Sequence, residues 1–123
     1  MQILELSPLA KTWILDVDGT LVKHNGHLYG DDTLLDGVKE FFATLSPNDK
    51  VVLLTARESM YLENLEKLLS DNDIRYDHII CDMPVGERIL VNDAKPSGLK
   101  TAYAINIIRD DPFQVDYRIN EGL

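Results

Sequence analysis

The chain has 123 residues, enough for one hydrophobic core and too few for a second, so one domain is expected over residues 1–123. A net charge of -9 and a pI near 4.6 argue against nucleic acid and anionic membrane as partners, because both select for excess Lys and Arg. An acidic protein therefore needs a local cation wherever it is to receive an anion.

The single cysteine, Cys81, excludes an internal disulfide and sits in an apolar run as a small core residue would. The start, Met1-Gln2-Ile3-Leu4-Glu5-Leu6, has no basic leader, and no stretch approaches membrane-spanning length. A cytoplasmic location is the expectation.

Residues 1–11 contain Ser7-Pro8 and read as an extended lead-in beside a sheet. The run Trp13-Ile14-Leu15-Asp16-Val17-Asp18-Gly19-Thr20-Leu21-Val22 follows, with apolar residues leading into two acids and a Gly-Thr turn. This reads as a buried strand delivering Asp16 and Asp18 to its C-terminal end, where open α/β sheets place their ligands. Two carboxylates backed by a tight turn make an oxygen-rich pocket suited to a hard cation such as Mg²⁺.

Asn25-Gly26 between short, partly apolar arms predicts a type I′ hairpin, a flap over residues 22–30. His24 and His27 lie on it without further His or Cys nearby and read as loop histidines. Thr33 and Asp36 mark a helix start, and Leu34, Leu35, Val38, Phe41, Phe42 and Leu45 recur at helical spacing until Ser46-Pro47. Val51–Thr55 is a second strand. Thr55 and Glu58 have capping-box spacing for a helix over 59–69, whose buried stripe is Leu62, Leu65, Leu68 and Leu69.

Tyr76–Cys81, Arg88–Asp93 and Thr101–Ile108 read as three further strands, and the tail from Phe113 to Leu123 carries no signal. Helix-length connections imply parallel pairing.

The segment Asp16-Val17-Asp18-Gly19-Thr20 resembles the first motif of the haloacid dehalogenase superfamily, and the likeness extends over roughly residues 12–108. It implies a Rossmann-like three-layer α/β sandwich with a mainly parallel sheet and no cap domain. It also implies a Mg²⁺-dependent phosphatase in which Asp16 is the nucleophile and Asp18 the general acid and base. Thr55 resembles the second motif's phosphate-binding hydroxyl, and Asp93 the fourth motif's metal ligand, with Asn92 a weaker one beside it. Mg²⁺ would then be held by Asp16, the backbone carbonyl of Asp18, and Asp93.

The third motif's cation is less plainly placed. Arg88 opens the strand that Asp93 ends, and at about 3.3 Å per residue that separation sets it at the far end of the sheet. Lys95, beside Pro96 on the loop leaving that strand, is therefore the expected phosphate-binding cation, with Arg57 in reserve. Residues 86–96 look most like small capless bacterial members associated with sugar or surface-polysaccharide metabolism. A phosphorylated small molecule is the expected substrate, and a flap or second copy of the chain the expected cover for the open site. Two other classes compete: a receiver-type signalling domain, which would need a phospho-accepting Asp where Thr55 stands, and a catalytically idle binding module.

Overall fold

A computed structural model of the protein describes residues 3–123; Met1 and Gln2, the start of the expected lead-in, lie outside them. The chain is an α/β protein with its strands in two small parallel sheets. Three strands form the first sheet in the order β2 (Thr12–Asp16), β3 (Lys50–Leu54), β4 (His78–Ile80). The second joins β1 (Ile3–Leu6) to β5 (Asp116–Ile119), so the lead-in is a strand and the tail is its partner.

Register fixes which side chains the first sheet buries. Asp16 pairs with Leu54 and Leu54 with Ile80, while Leu15 pairs with Leu53 and Leu53 with Ile79. Alternation then puts Leu15, Val51 and Leu53 on one face, where they join the core with Val38, Phe41 and Phe42 of α2 (Val38–Thr44) and Leu65 and Leu69 of α3 (Leu62–Asp71). Right-handed crossovers between adjacent parallel strands place both helices on that face. Leu53, Leu65 and Leu69 are fully buried, each contributing on the order of 1.5–3 kcal/mol. On the opposite face Ile14 and Ile80 remain exposed.

Local chemistry sets the helix ends. At the C-terminus of α3, Asp73 takes a left-handed φ of 56°. Its N–H bonds Ser70 O, and the N–H of buried Ile74 bonds Leu69 O. This is a Schellman closure with Asp where Gly is usual. Helix α2 starts later than Thr33 and Asp36 suggested: Gly37 is its N-cap, at φ 89° and without a side-chain cap.

Glu58 likewise makes no side-chain cap, so the expected Thr55–Glu58 capping box does not form. Residues 59–61 are a 3₁₀ turn leading into α3.

Three predicted elements differ. The Asn25-Gly26 hairpin is instead a left-handed Asn25 (φ 56°) starting a one-turn helix, α1 (Gly26–Tyr29). The ladder lies further back, where Lys23 N–H bonds Thr33 O and Leu35 N–H bonds Leu21 O. Antiparallel pairing is thus made by the base of the excursion rather than its tip. Residues 88–93 and 101–108 form no strand; Ile89, Leu90, Val91, Ile105 and Ile108 are exposed rather than paired, while Ile107 packs partly against the core. They meet each other through Thr101 Oγ1 donating to Asp93 O at 2.6 Å and Asn92 Nδ2 donating to Thr101 O at 3.2 Å.

No helix among the described residues is long and apolar enough to cross a membrane.

Candidate active site

Asp16 ends β2, and the chain then turns tightly: Leu21 and Val22 N–H groups both bond Val17 O, while Gly19 N–H bonds Val22 O. Gly19 sits at φ 83°, a left-handed backbone that glycine adopts without steric cost. The turn carries Asp16, Asp18 and Thr20 to a polar cavity of about 230 Å³, whose lining is completed by Gly19, Ile107 and Arg109. A larger groove of about 690 Å³ lies elsewhere, along α2 and β5, and contains none of these acids.

Each acid has its own partners. Asp16 Oδ2 accepts from Thr20 Oγ1 at 3.1 Å, and Asp16 Oδ1 accepts from Arg88 Nη1 at 2.8 Å. Asp18 lies against Arg57, which donates from Nε at 3.1 Å and Nη2 at 2.8 Å to Oδ1. The opposite side of the same guanidinium donates to Asp32, at 2.9 Å from Nη1 and 2.6 Å from Nη2. Arg57 and Asp32 side chains are almost wholly buried. Burial opposes the charge on Arg57, but its hydrogen bonds to Asp32 and Asp18 outweigh that and raise its pKa above the ordinary guanidinium value.

Thr55, one residue past β3, is fully buried. Its hydroxyl donates to Asp18 Oδ2 at 3.1 Å and accepts Arg57 N–H at 3.0 Å. Thr55 therefore braces Asp18 and Arg57, and it does not line the cavity. Above Asp18, the His27 ring packs edge-on against Tyr61 at 5.0 Å. His27 Nδ1 is buried without a hydrogen-bond partner, 3.8 Å from Asp18 Oδ1.

The structure thus brings Asp16, Asp18, Thr55, Arg57 and Arg88 together. The inference that Arg88 stands at the far end of a strand is overturned: with no strand over 88–93, the irregular segment delivers its guanidinium to Asp16. Lys95 and Asp93 are exposed and lie outside the cavity lining. Asp32 and Arg109 were not identified from sequence. Asp32 lies just past the predicted flap and belongs to no motif, and Arg109 follows a run read as a strand with Arg109-Asp110-Asp111-Pro112 as its stop.

Carboxylate and carbonyl oxygens suit Mg²⁺, and two residues of the expected donor set, Asp16 and Asp18, line the cavity. The third is not assembled: among the described residues, no group of three or more His, Cys, Asp or Glu side chains is arranged to hold a metal ion. Compared with protein-family models, curated proteins and solved structures, the chain finds no match.

Proposed function

We propose that the protein is a phosphohydrolase of the haloacid dehalogenase type, acting on small phosphate monoesters through a phosphoaspartyl intermediate on a Rossmann-like core. One observation carries the reading: Asp16 ends a parallel strand at a polar cavity, with the Arg88 guanidinium 2.8 Å from its carboxylate. A carboxylate attacks a phosphate only if positive charge offsets their repulsion.

In the first step an Asp16 oxygen forms a bond to phosphorus as the ester oxygen leaves, and that oxygen takes a proton from Asp18. In the second, water loses a proton to Asp18 and attacks phosphorus, releasing Asp16 and inorganic phosphate. Thr55 and Arg57 hold Asp18 in position for both transfers. Mg²⁺ would supply further positive charge; Asp16 and the Asp18 carbonyl are the residues proposed to hold it, and Asp93, the third expected ligand, stands outside the cavity lining. The substrate proposed is a phosphorylated sugar of surface-polysaccharide metabolism, handled in the cytoplasm, with a second copy of the chain covering the site.

A catalytically idle phosphate-binding module is the second reading. It draws on the same ion pairs, because Asp16 and Asp18 each already have a guanidinium partner. Incubation with an aryl phosphate and Mg²⁺, then with EDTA, separates the two. Metal-dependent turnover that disappears in Asp16→Asn is expected, and no turnover across a panel of sugar, nucleotide and peptide phosphates would leave the idle module.

A further inference from the structure

Three guanidiniums stand near the two motif acids, and their commitments differ. Arg57 is buried between Asp18 and Asp32 with both edges engaged. Arg88 donates to Asp16. Arg109 lines the cavity with Asp16 and Asp18, yet among the described residues its side chain has no hydrogen bond and no carboxylate within ion-pair distance.

Its backbone, by contrast, is fastened to the turn that carries the acids. The next residue, Asp110, donates its N–H to Gly19 O at 2.9 Å and accepts His24 N–H on Oδ1 at 2.7 Å. Asp110 does this at a φ of 64°, a conformation Asp tolerates better than most side chains. Arg109 also lies across Gly19 so closely that a Cβ on that glycine would stand 3.1 Å from Arg109 Cγ. The arginine's stem is thereby fixed beside the Asp18-Gly19-Thr20 turn, while its five donors remain open.

We propose that Arg109 is the phosphate anchor of this cavity, a binding residue that takes the non-reacting oxygens of a phosphate monoester, or of product phosphate, in a bidentate grip. This rests on reading the cavity as a phosphate site. A planar fork matches two oxyanion oxygens, and among the described residues the arginines paired with Asp16, Asp18 and Asp32 are Arg57 and Arg88. Without Arg109 the pocket is net negative toward an arriving anion. Ile107, the apolar member of the lining, would face the organic part of the ester.

The test is orthophosphate binding by calorimetry, with and without Mg²⁺, to the unaltered protein, Arg109→Ala, Arg109→Lys and the surface control Arg118→Ala. Aryl-phosphate kinetics on the same proteins distinguish ester from free phosphate. Expected are at least tenfold weaker orthophosphate binding and a matching rise in KM for Arg109→Ala, partial recovery in Arg109→Lys, and no change in Arg118→Ala. Thermal melts check folding, and Arg109→Lys carries the comparison if Arg109→Ala is unfolded. Orthophosphate affinity unchanged by either substitution, or no orthophosphate binding to the unaltered protein, overturns the anchor. Arg109-dependent binding by a protein that hydrolyses none of the esters upholds the anchor and removes the phosphohydrolase reading.

Discussion

Arg88 and Asp16, 72 residues apart in sequence, meet in an ion pair with Nη1 2.8 Å from Oδ1. Both side chains are more than a third exposed, at 38% and 39%, so the pair contributes at most about 1 kcal/mol to stability. Its consequence is chemical, since it sets a positive charge on the proposed nucleophile. Arg88→Ala is expected to lower kcat/KM on an aryl phosphate at least tenfold, about 1.4 kcal/mol of transition-state stabilisation, with little change in melting temperature. Lys95→Ala is expected to leave both near their starting values. A larger loss of kcat/KM in Lys95→Ala than in Arg88→Ala would restore the lysine to the role its sequence position suggested.

Asp32 and Arg57 form a pair of the opposite kind, buried and bidentate. Removing one partner strands the other's charge out of water, at a typical cost of about 3–5 kcal/mol. Asp32→Ala is expected to fall in that range by urea denaturation and to reduce turnover, because Arg57 then holds Asp18 alone. A loss below about 1 kcal/mol would mean that water reaches Arg57 when Asp32 is gone.

The same pair changes what the flap is expected to do. An exposed hairpin tip would be dispensable, but this excursion buries His27 against Tyr61 and supplies Asp32 to the core ion network. Deleting residues 24–27 is expected to lower the melting temperature and the turnover together. A shift in substrate preference at constant melting temperature would return the flap to a purely recognising role.

The elements legible in the sequence are those whose local pattern agrees with their packing. Val51–Leu54 is a short apolar run with two β-branched residues and becomes the central strand, and Leu62, Leu65 and Leu69 recur at helical spacing and face the core. The turn after Asp16 was legible because glycine there has a backbone reason. Residues 88–93 and 101–108 have the composition of strands, yet strand composition needs a partner edge, and these residues do not pair. Tail residues gave no signal because β5 is a short strand held by distant contacts: Trp13 lies 5.1 Å from Tyr117, and Thr44 Oγ1 is 2.9 Å from the Tyr117 hydroxyl. Arg109 and Asp32 were hidden for the same reason, since only the folded chain brings them to the acids.

Stability at low pH is expected to depend on Asp77. Its carboxylate accepts Val51 N–H at 2.7 Å and is 3.7 Å from both Lys50 and Arg75. The backbone hydrogen bond from Val51 is the main cause that holds its pKa below the ordinary 3.8; burial opposes it, and Lys50, Arg75 and His78 add smaller lowering effects. A carboxyl depressed in the folded state stabilises it fully above the unfolded pKa and loses that contribution as pH falls through the folded value. Asp77→Asn should therefore be less stable than the unaltered protein at neutral pH, and the two denaturation curves should converge below about pH 4. A constant gap down to pH 2 would show that the hydrogen bond, and not the charge, carries the effect.

At Gly37 the tail is fastened to the start of α2. Phe113 N–H bonds Asp36 O at 2.7 Å, and the buried Phe113 ring packs 4.9 Å from Phe41. This close approach leaves no room at the helix N-cap: a Cβ on Gly37 would lie 2.2 Å from Phe113 O. Its φ of 89° adds a second penalty, because side chains other than glycine rarely adopt that backbone. The obstructing atom is a backbone carbonyl and cannot rotate aside, so relief requires moving Phe113 and with it the approach to β5. Gly37→Ala is expected to cost at least about 3 kcal/mol, from left-handed strain and overpacking together. Gly98, also left-handed at φ 89° but with nothing within 4 Å of a Cβ, isolates the backbone part, and Gly98→Ala is expected to cost about 1 kcal/mol. Equal losses in the two variants, measured by urea denaturation, would remove the clash from the account and leave conformational strain alone.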